Sequence, residues 1–366
     1  MKASQSDSEV DALDTGGEHE EVAGIWRRGS GLRAIVAIHS TALGPALGGT
    51  RFRPYPTVAD GLADVLRLSR AMSYKAAMAG LELGGGKAVI LGDPSVLRSP
   101  GLWRDYGAFL NGLGGRYYTA EDVGTSIADM DELGRHTRFV TGRSVEAGGS
   151  GDPSPVTAFG VFRAMQAAAK SLWGSDSLAG RRIAVNGVGK VGGALAGLAA
   201  GDGAKLVVAD VDQSAVRRVV DATGATASDP GEIHATACDI YAPCALGGAL
   251  DDETVPALAC EAVVGAANNQ LARPELAAVL RERGIAYVPD YVVNAGGVIN
   301  IAYERDGEYD PEAAHEHVAR IYDTVVALFD EASRTGDTLE AIADRTAEQR
   351  IAVADAARAG GSSTLG

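Results

Sequence analysis

Lys87 closes the run Gly84-Gly85-Gly86-Lys87 and opens the apolar run Ala88-Val89-Ile90-Leu91. Lysines are mostly solvated surface residues, and a lysine entering an apolar strand fits that role poorly. Two chemistries suit it: holding a phosphate, or moving a proton. A phosphate-binding P-loop reads G-x-x-x-x-G-K-[ST]. Here Leu81 stands where the first glycine belongs, Gly80 lies one place too far back, and Ala88 replaces the hydroxyl. The phosphate reading fails, and the motif alone does not assign the lysine another role. A lysine at its ordinary pKa of about 10.4 stays protonated near neutrality, so a lysine base needs burial or a neighbouring cation. A second lysine, Lys75, lies 12 residues earlier at the end of an amphipathic segment. Sequence alone does not say whether the two meet.

A second chemical motif is Gly187-Val188-Gly189-Lys190-Val191-Gly192. A lone G-x-G-x-x-G is weak, but this one lies between a strand (Arg182-Ile-Ala-Val-Asn) and a helix. That context is the dinucleotide fingerprint: a tight turn, close backbone approach to the pyrophosphate, and close helix packing. The helix N-terminus offers free N–H groups to the phosphates. Asp210 ends the next strand, 18 residues beyond Gly192. An acid there accepts hydrogen bonds from ribose hydroxyls and repels the extra phosphate of NADP, so the expected cofactor is NAD.

Positioning these residues requires alternating elements. Residues 32–38 read as a strand, and ALGPALGGTRFRPYP as a glycine- and proline-rich loop. From Thr57, Val58, Leu62, Val65, Leu66 and Met72 recur at helical spacing, and that helix delivers Lys75. A strand starts at Lys87, and a short one at Tyr117 ends in the loop AEDVG. Residues 142–155, GRSVEAGGSGDPSP, are the most linker-like internal stretch and set the expected boundary. Beyond it, strands and helices alternate as in a doubly wound parallel sheet. Asp310 with Pro311 starts a helix whose stripe runs from Val318 to Phe329, and a further helix starts near Asp337. The fold class is α/β with two domains: a substrate-binding α/β domain over 1–143, with 1–21 as a disordered tail, and a Rossmann-type dinucleotide-binding domain over 144–334.

The whole chain limits the alternatives. Its 366 residues suit about two domains. The net charge of −15 argues against nucleic-acid or membrane-surface binding, which need a basic face. Cys238, Cys244 and Cys260 form no disulfide framework, so a reduced cytoplasmic setting is expected, and Cys244 reads as an inert buried thiol. The acidic N-terminus has no apolar core and is not expected to be a signal peptide. Six histidines form no H-E-x-x-H pair or Cys/His cluster, so no metal is expected.

The stretches IHSTALGPALGGTRF, AMSYKAAMAGLELGGGKAVILGDP, YYTAEDVGT, CDIYAPCALGG, GAANNQLA and PDYVVNAGGVIN resemble the glutamate/leucine/phenylalanine/valine amino-acid dehydrogenases, in order and spacing, from about residue 24 to about 355. The valine and leucine branch is most similar. The resemblance implies that Lys75 pairs with the substrate carboxylate, Lys87 is the catalytic lysine and Asp122 handles protons and the amino group. It places Gly48 in the turn facing the substrate amine, Asn269 near both substrate and nicotinamide, and Thr157 at the nicotinamide carboxamide. It assigns the side-chain pocket to Leu47, Met72, Ala120, Thr141, Val298 and Ile301, which carry no charge and suit an aliphatic substrate better than glutamate. It implies a homo-oligomer and a C-terminal helix, 335–360, that rejoins the first domain. The expected function is NAD-dependent oxidative deamination of valine, leucine or isoleucine. The alternatives are a phenylalanine dehydrogenase and, from another class, a non-catalytic NAD-binding sensor.

Overall fold

Strands β1 (Glu21–Arg27), β2 (Leu32–Ser40), β3 (Ala46–Arg53), β4 (Gly84–Leu91) and β5 (Tyr117–Glu121) form one sheet in the order β1-β2-β4-β3-β5. The computed structural model describes residues 18–305 and 309–362. β4 is antiparallel to β2 and parallel to β3, and it is buried along its whole length. Helix α1 (Val58–Met78) starts in a capping box: the Thr57 hydroxyl accepts from the Asp60 N–H, and the Asp60 carboxylate accepts from the Thr57 N–H. Such a cap contributes about 1 kcal/mol. Leu62 and Val65 of α1 pack on Ile35, Ala37, Val89 and Leu91. The opposite face, with Val36, Ile38, Ala88 and Ile90, packs on helices further along the chain. After the short α2 (Pro94–Leu97), these are α3 (Pro100–Gly112), through Leu102, Trp103 and Tyr106, and α4 (Ile127–Gly134), through Met130 and Leu133. Strand alternation puts Lys87 on the same face as Val89 and Leu91, toward α1.

Two expectations change here. The segment expected to be a loop contains β3, and β4 begins at Gly84 rather than Lys87. Glycine disfavours strands where a side chain would help packing. At these positions the neighbour fills the side chain's place: a Cβ on Gly48 would stand 1.8 Å from the Gly86 carbonyl oxygen. Of the expected tail, residues 1–17 lie outside the described residues. His19, however, bonds through Nε2 to Ser69 Oγ at 2.8 Å, and β1 starts at Glu21.

The second sheet is parallel, in the order β11-β10-β9-β6-β7-β8: β6 (Arg182–Asn186), β7 (Lys205–Ala209), β8 (Thr226–Ala227), β9 (Ile240–Pro243), β10 (Ala262–Val263) and β11 (Ala286–Tyr287). Helices α5 (Ser154–Trp173), α6 (Lys190–Gly201) and α7 (Gln213–Thr223) accompany it, α5 packing on α6. The helix expected from Asp310 is capped there, but breaks at Arg320 into Pro311–Ala319 and Ile321–Thr335.

The chain divides into a unit drawn from Met1–Gly151, Glu304–Tyr309 and Gln349–Gly366, and a unit of Asp152–Tyr303 and Asp310–Glu348. The division after Gly151 replaces the expected one after residue 143. Hydrogen bonds explain it: Ser144 N–H donates to Asp131 Oδ1 at 3.0 Å, and the N–H groups of Gly142 and Ser150 donate to Glu304 at 2.8 and 2.9 Å. At the other end, the helix Leu339–Ser362 belongs to the first unit only from Gln349, not from 335. Asp344 accepts from the Tyr291 hydroxyl at 2.6 Å within the second unit, whereas Arg350 donates to the Leu81 carbonyl at 3.0 Å, beside the end of α1.

Candidate active site

Lys87 Nζ lies 2.7 Å from Asp122 Oδ2, with 9% of the lysine side chain exposed. Strand pairing brings the two together. β4 presents Lys87 toward α1, and β5 runs beside β3 so that Gly49 faces Ala120 and Thr50 faces Glu121. Asp122 follows at the strand end, where Thr125 Oγ1 donates to the Asp122 carbonyl at 2.9 Å and its N–H group donates to Thr125 Oγ1 at 2.8 Å. A Cβ on Gly49 would stand 2.8 Å from Asp122 Cβ, so only glycine lets that carboxylate sit so close to β3. Burial alone would raise the Asp122 carboxyl, but the Lys87 ammonium and the Arg51 guanidinium outweigh it and hold it at about 2.

Gly48 lies within β3 rather than in the expected turn, and its carbonyl accepts from the Tyr117 hydroxyl. The Met72 side chain covers Gly48, its Cγ lying 3.3 Å from a Cβ built there. Lys75 follows Met72 by one turn on α1, in the final turn, where the helix dipole favours a cation. Leu47, Ala120 and Thr141 are buried, and Thr141 Oγ1 donates to the Thr119 carbonyl at 3.3 Å. The first unit therefore brings together Lys87, Asp122, Gly48 and Met72. The ion-pair partner of Lys87 is thus the Asp122 carboxylate.

In the second unit the three motif glycines have three distinct surroundings. Gly187 has φ +97, the left-handed region, and a Cβ there would meet the Ala245 backbone at 2.6 Å. Gly192 lies against the Gly187 carbonyl, 1.9 Å from a built Cβ. Gly189, the N-cap of α6, would meet nothing within 4 Å. The open side of Gly189 and the α6 N-terminus fit a pyrophosphate. Val188, Gly189, Lys190, Asp210, Asp212 and Arg218 line a cavity of about 520 Å³. Asp210 Oδ2 accepts from the Val188 N–H at 2.8 Å, which fixes the acid to the glycine turn, while Val191 continues into α6.

Asn269 has φ +52, the only positive φ at a non-glycine position among the described residues. Such backbone persists only where its surroundings hold it. Its carbonyl accepts from Gly248 N–H at 2.7 Å; next to it, Gln270 N–H donates to Asp290 Oδ2 at 2.8 Å, and Asn294 Nδ2 donates to Asn268 Oδ1 at 2.9 Å. Thr157 Oγ1 donates to the Pro153 carbonyl at 2.9 Å in the first turn of α5. It abuts Gly297, at the start of the helix Gly296–Ala302 that carries Val298 and Ile301. Burial pushes the Cys244 thiol up to about 12.

The sequence reading missed Arg51, Asp64, Gln270, Asp290 and Asn294. Arg51 stood in a stretch read as loop, so strand alternation was not applied to it. Gln270 and Asn294 fell inside the quoted motifs, but their partners are 20 and 26 residues away.

No described helix is long and apolar enough to cross a membrane. Residues 19–139 match the dimerisation domain of the Glu/Leu/Phe/Val dehydrogenases, and 148–229 and 208–360 match the glutamate/leucine/phenylalanine/valine dehydrogenase model. The chain is 53% identical to valine dehydrogenase of Streptomyces albus, over 94% of this chain and 95% of that one. It is 50% identical to leucine dehydrogenase of Geobacillus stearothermophilus, over 91% of each. The structure of L-tryptophan dehydrogenase from Nostoc punctiforme aligns with a TM-score of 0.82 and 42% identity, covering 92% of this chain and 97% of that one. The chain therefore belongs to the glutamate/leucine/phenylalanine/valine dehydrogenase family, as an oxidoreductase acting on CH–NH2 donors.

Proposed function

We propose that this protein catalyses NAD-dependent oxidative deamination of L-valine, L-leucine or L-isoleucine to the 2-oxo acid and ammonium, and the reverse reductive amination. The observation that carries the mechanism is the buried Lys87–Asp122 pair, an amine and a carboxylate within proton-transfer reach. A bound nicotinamide supplies the hydride acceptor. The Lys75 ammonium holds the substrate carboxylate, and Gly48 presents its backbone to the amine. Once the α-carbon has lost its hydride, the substrate is an iminium that water must attack. Neutral Lys87 takes one proton of that water, and Asp122, ionised at rest, relays that proton to the amine. Lys87 then takes the remaining hydroxyl proton as the C–N bond breaks and ammonia leaves. Lys87→Arg keeps the charge but cannot release its proton at working pH. A Lys87→Arg pH–rate profile matching the parent would refute the base role.

Leu47, Met72, Ala120 and Thr141 in the first unit, and Val298 and Ile301 in the second, offer no cation to a side-chain carboxylate. Relatives named valine and leucine dehydrogenase support the branched-chain choice over phenylalanine. The sensor reading is weaker because Lys75, Lys87 and Asp122 are all in place. Gly187, Val188, Gly189, Lys190, Val191 and Gly192 hold the pyrophosphate, Thr157 and Asn269 the nicotinamide end, and Asp210 the ribose. NAD is favoured over NADP because Asp210 and Asp212 face the cavity, while both of its lining cations are engaged: Arg218 donates to Ser214 Oγ at 3.0 Å and Lys190 pairs with Asp152 at 3.0 Å. The match to a dimerisation domain supports a homo-oligomer, which sedimentation measures directly. One panel tests the rest: L-amino acids assayed for reduced cofactor with NAD and with NADP. Valine, leucine and isoleucine should react with NAD. A kcat/KM for phenylalanine at or above that for valine overturns the substrate choice, equal turnover with NADP overturns the cofactor choice, and no turnover supports the sensor.

A further inference from the structure

Asp122 is bracketed by two cations. Besides Lys87 Nζ, Arg51 Nε lies 3.4 Å from Asp122 Oδ2. Arg51 is 17% exposed at its side chain, and its Nη1 donates to Asp64 Oδ2 of α1 at 2.8 Å. Asp64 also accepts from the Tyr55 hydroxyl at 2.8 Å and from Arg67 Nη2 at 2.9 Å. One guanidinium on β3 thus ties the helix bearing Lys75 to the carboxylate beside Lys87. The fork reaches two acids through different nitrogens, which a lysine ammonium cannot copy. Lysine acting as a base cycles between charged and neutral forms. Each time Lys87 is neutral, Asp122 would be a buried carboxylate without a countercharge, a costly state, unless another cation stays. Arginine keeps its proton throughout.

We propose that Arg51 is a positioning residue for the deamination, holding Asp122 ionised and aimed at Lys87 while the charge on the lysine changes. This deepens the Lys87–Asp122 reading and rests on it. Protons move only among substrate, water, Lys87 and Asp122, and Arg51 loses none. Other titratable groups near the pair include Tyr117 under Gly48, Asp64 and Tyr55 beyond Arg51, and Arg67 on Asp64, while Lys75 sits in the last turn of α1. Tyr117 is pushed up by burial, so it stays neutral.

The test is a set of kcat and kcat/KM pH profiles with L-valine and NAD for the parent, R51Q, R51K, K87A and D122N, alongside circular dichroism. R51Q should lower kcat by about 10–100-fold with a smaller change in KM, as expected for a misplaced catalytic group. Its kcat/KM should also fall on the acid side about one pH unit higher than in the parent, because the coupled Lys87–Asp122 pair has lost a cation. R51K should return the acid side to the parent position while leaving kcat several-fold reduced. Parent-like kcat and acid side in R51Q overturn the proposal. If R51Q does not fold, R51K decides: an unchanged kcat overturns it, and a reduced kcat at an unmoved acid side supports it. Parent-like activity in K87A or D122N instead defeats the underlying reading; disabled K87A and D122N with a parent-like R51Q defeat the Arg51 role alone.

Discussion

Two glycine runs in this chain each meet a lysine, and they do opposite work. In β4 every glycine of 84–86 is occupied by protein: a Cβ would stand 1.9 Å from the Ser40 carbonyl oxygen at Gly84, 2.0 Å from the Ser73 nitrogen at Gly85, and 2.7 Å from the Tyr117 ring at Gly86. In the turn after β6, Gly189 has open space where its side chain would be. The first run lets a helix, a strand and a ring approach one another. The second lets something from outside approach the backbone. Their lysines follow suit: Lys87 is buried in an ion pair, whereas the Lys190 side chain is 75% exposed and reaches Asp152 at 3.0 Å. A glycine run is understood from what occupies the missing side chain's place.

The contrast is broken most directly at the lysines. Lys87→Ala should lower kcat/KM by about 10²–10⁴-fold, the range for losing an acid–base group, while Lys190→Ala should cost less than about tenfold. Similar losses in steady-state assays would erase the distinction. At the glycines, Gly85→Ala should destabilise the fold by about 3 kcal/mol or more in urea unfolding, since its methyl would enter the α1 backbone. Gly189→Ala should raise the KM for NAD about tenfold with stability changed by less than about 1 kcal/mol. A stability loss at residue 189 as large as at 85 would mean that both runs are packing devices.

The smallest expected effect sharpens the buried side of the comparison. Asp122 titrates at about 2 in the folded chain against an ordinary 3.8. A depressed folded value stabilises above the unfolded pKa, by on the order of 2 kcal/mol, and that contribution disappears as pH falls from about 4 to about 2. The stability gap between parent and Asp122→Asn should therefore shrink across that window. A gap that stays constant in urea titrations there would show that the carboxylate's charge contributes nothing.

Much of the second unit was legible. Its strand–glycine–helix motif is local, so β6, the Gly187 turn, α6 and the position of Asp210 follow from adjacent residues. The first unit was harder, because β3 looks like a loop by composition. Gly48 and Gly49 are poor strand formers, and distant neighbours explain them, among them the Gly86 carbonyl and Asp122 Cβ, 38 and 73 positions on. Arg51 was missed for the same reason. The domain limits shifted because Ser144, Ser150 and Glu304 bond back to the first unit, which a flexible-looking composition does not reveal.

What the sequence determined by itself was the inventory: a lysine after three glycines, a dinucleotide turn with its terminal acid, and a family likeness covering most of the chain. These rest on residue type and short spacing, which the covalent chain preserves. Tertiary structure decided which groups touch. It set Lys87 on the α1 face, placed Asp122 against it, and put Arg51 between Asp122 and Asp64. Those contacts depend on strand order and on the direction of each side chain, and a one-residue change of register would turn Lys87 to the other face of the sheet.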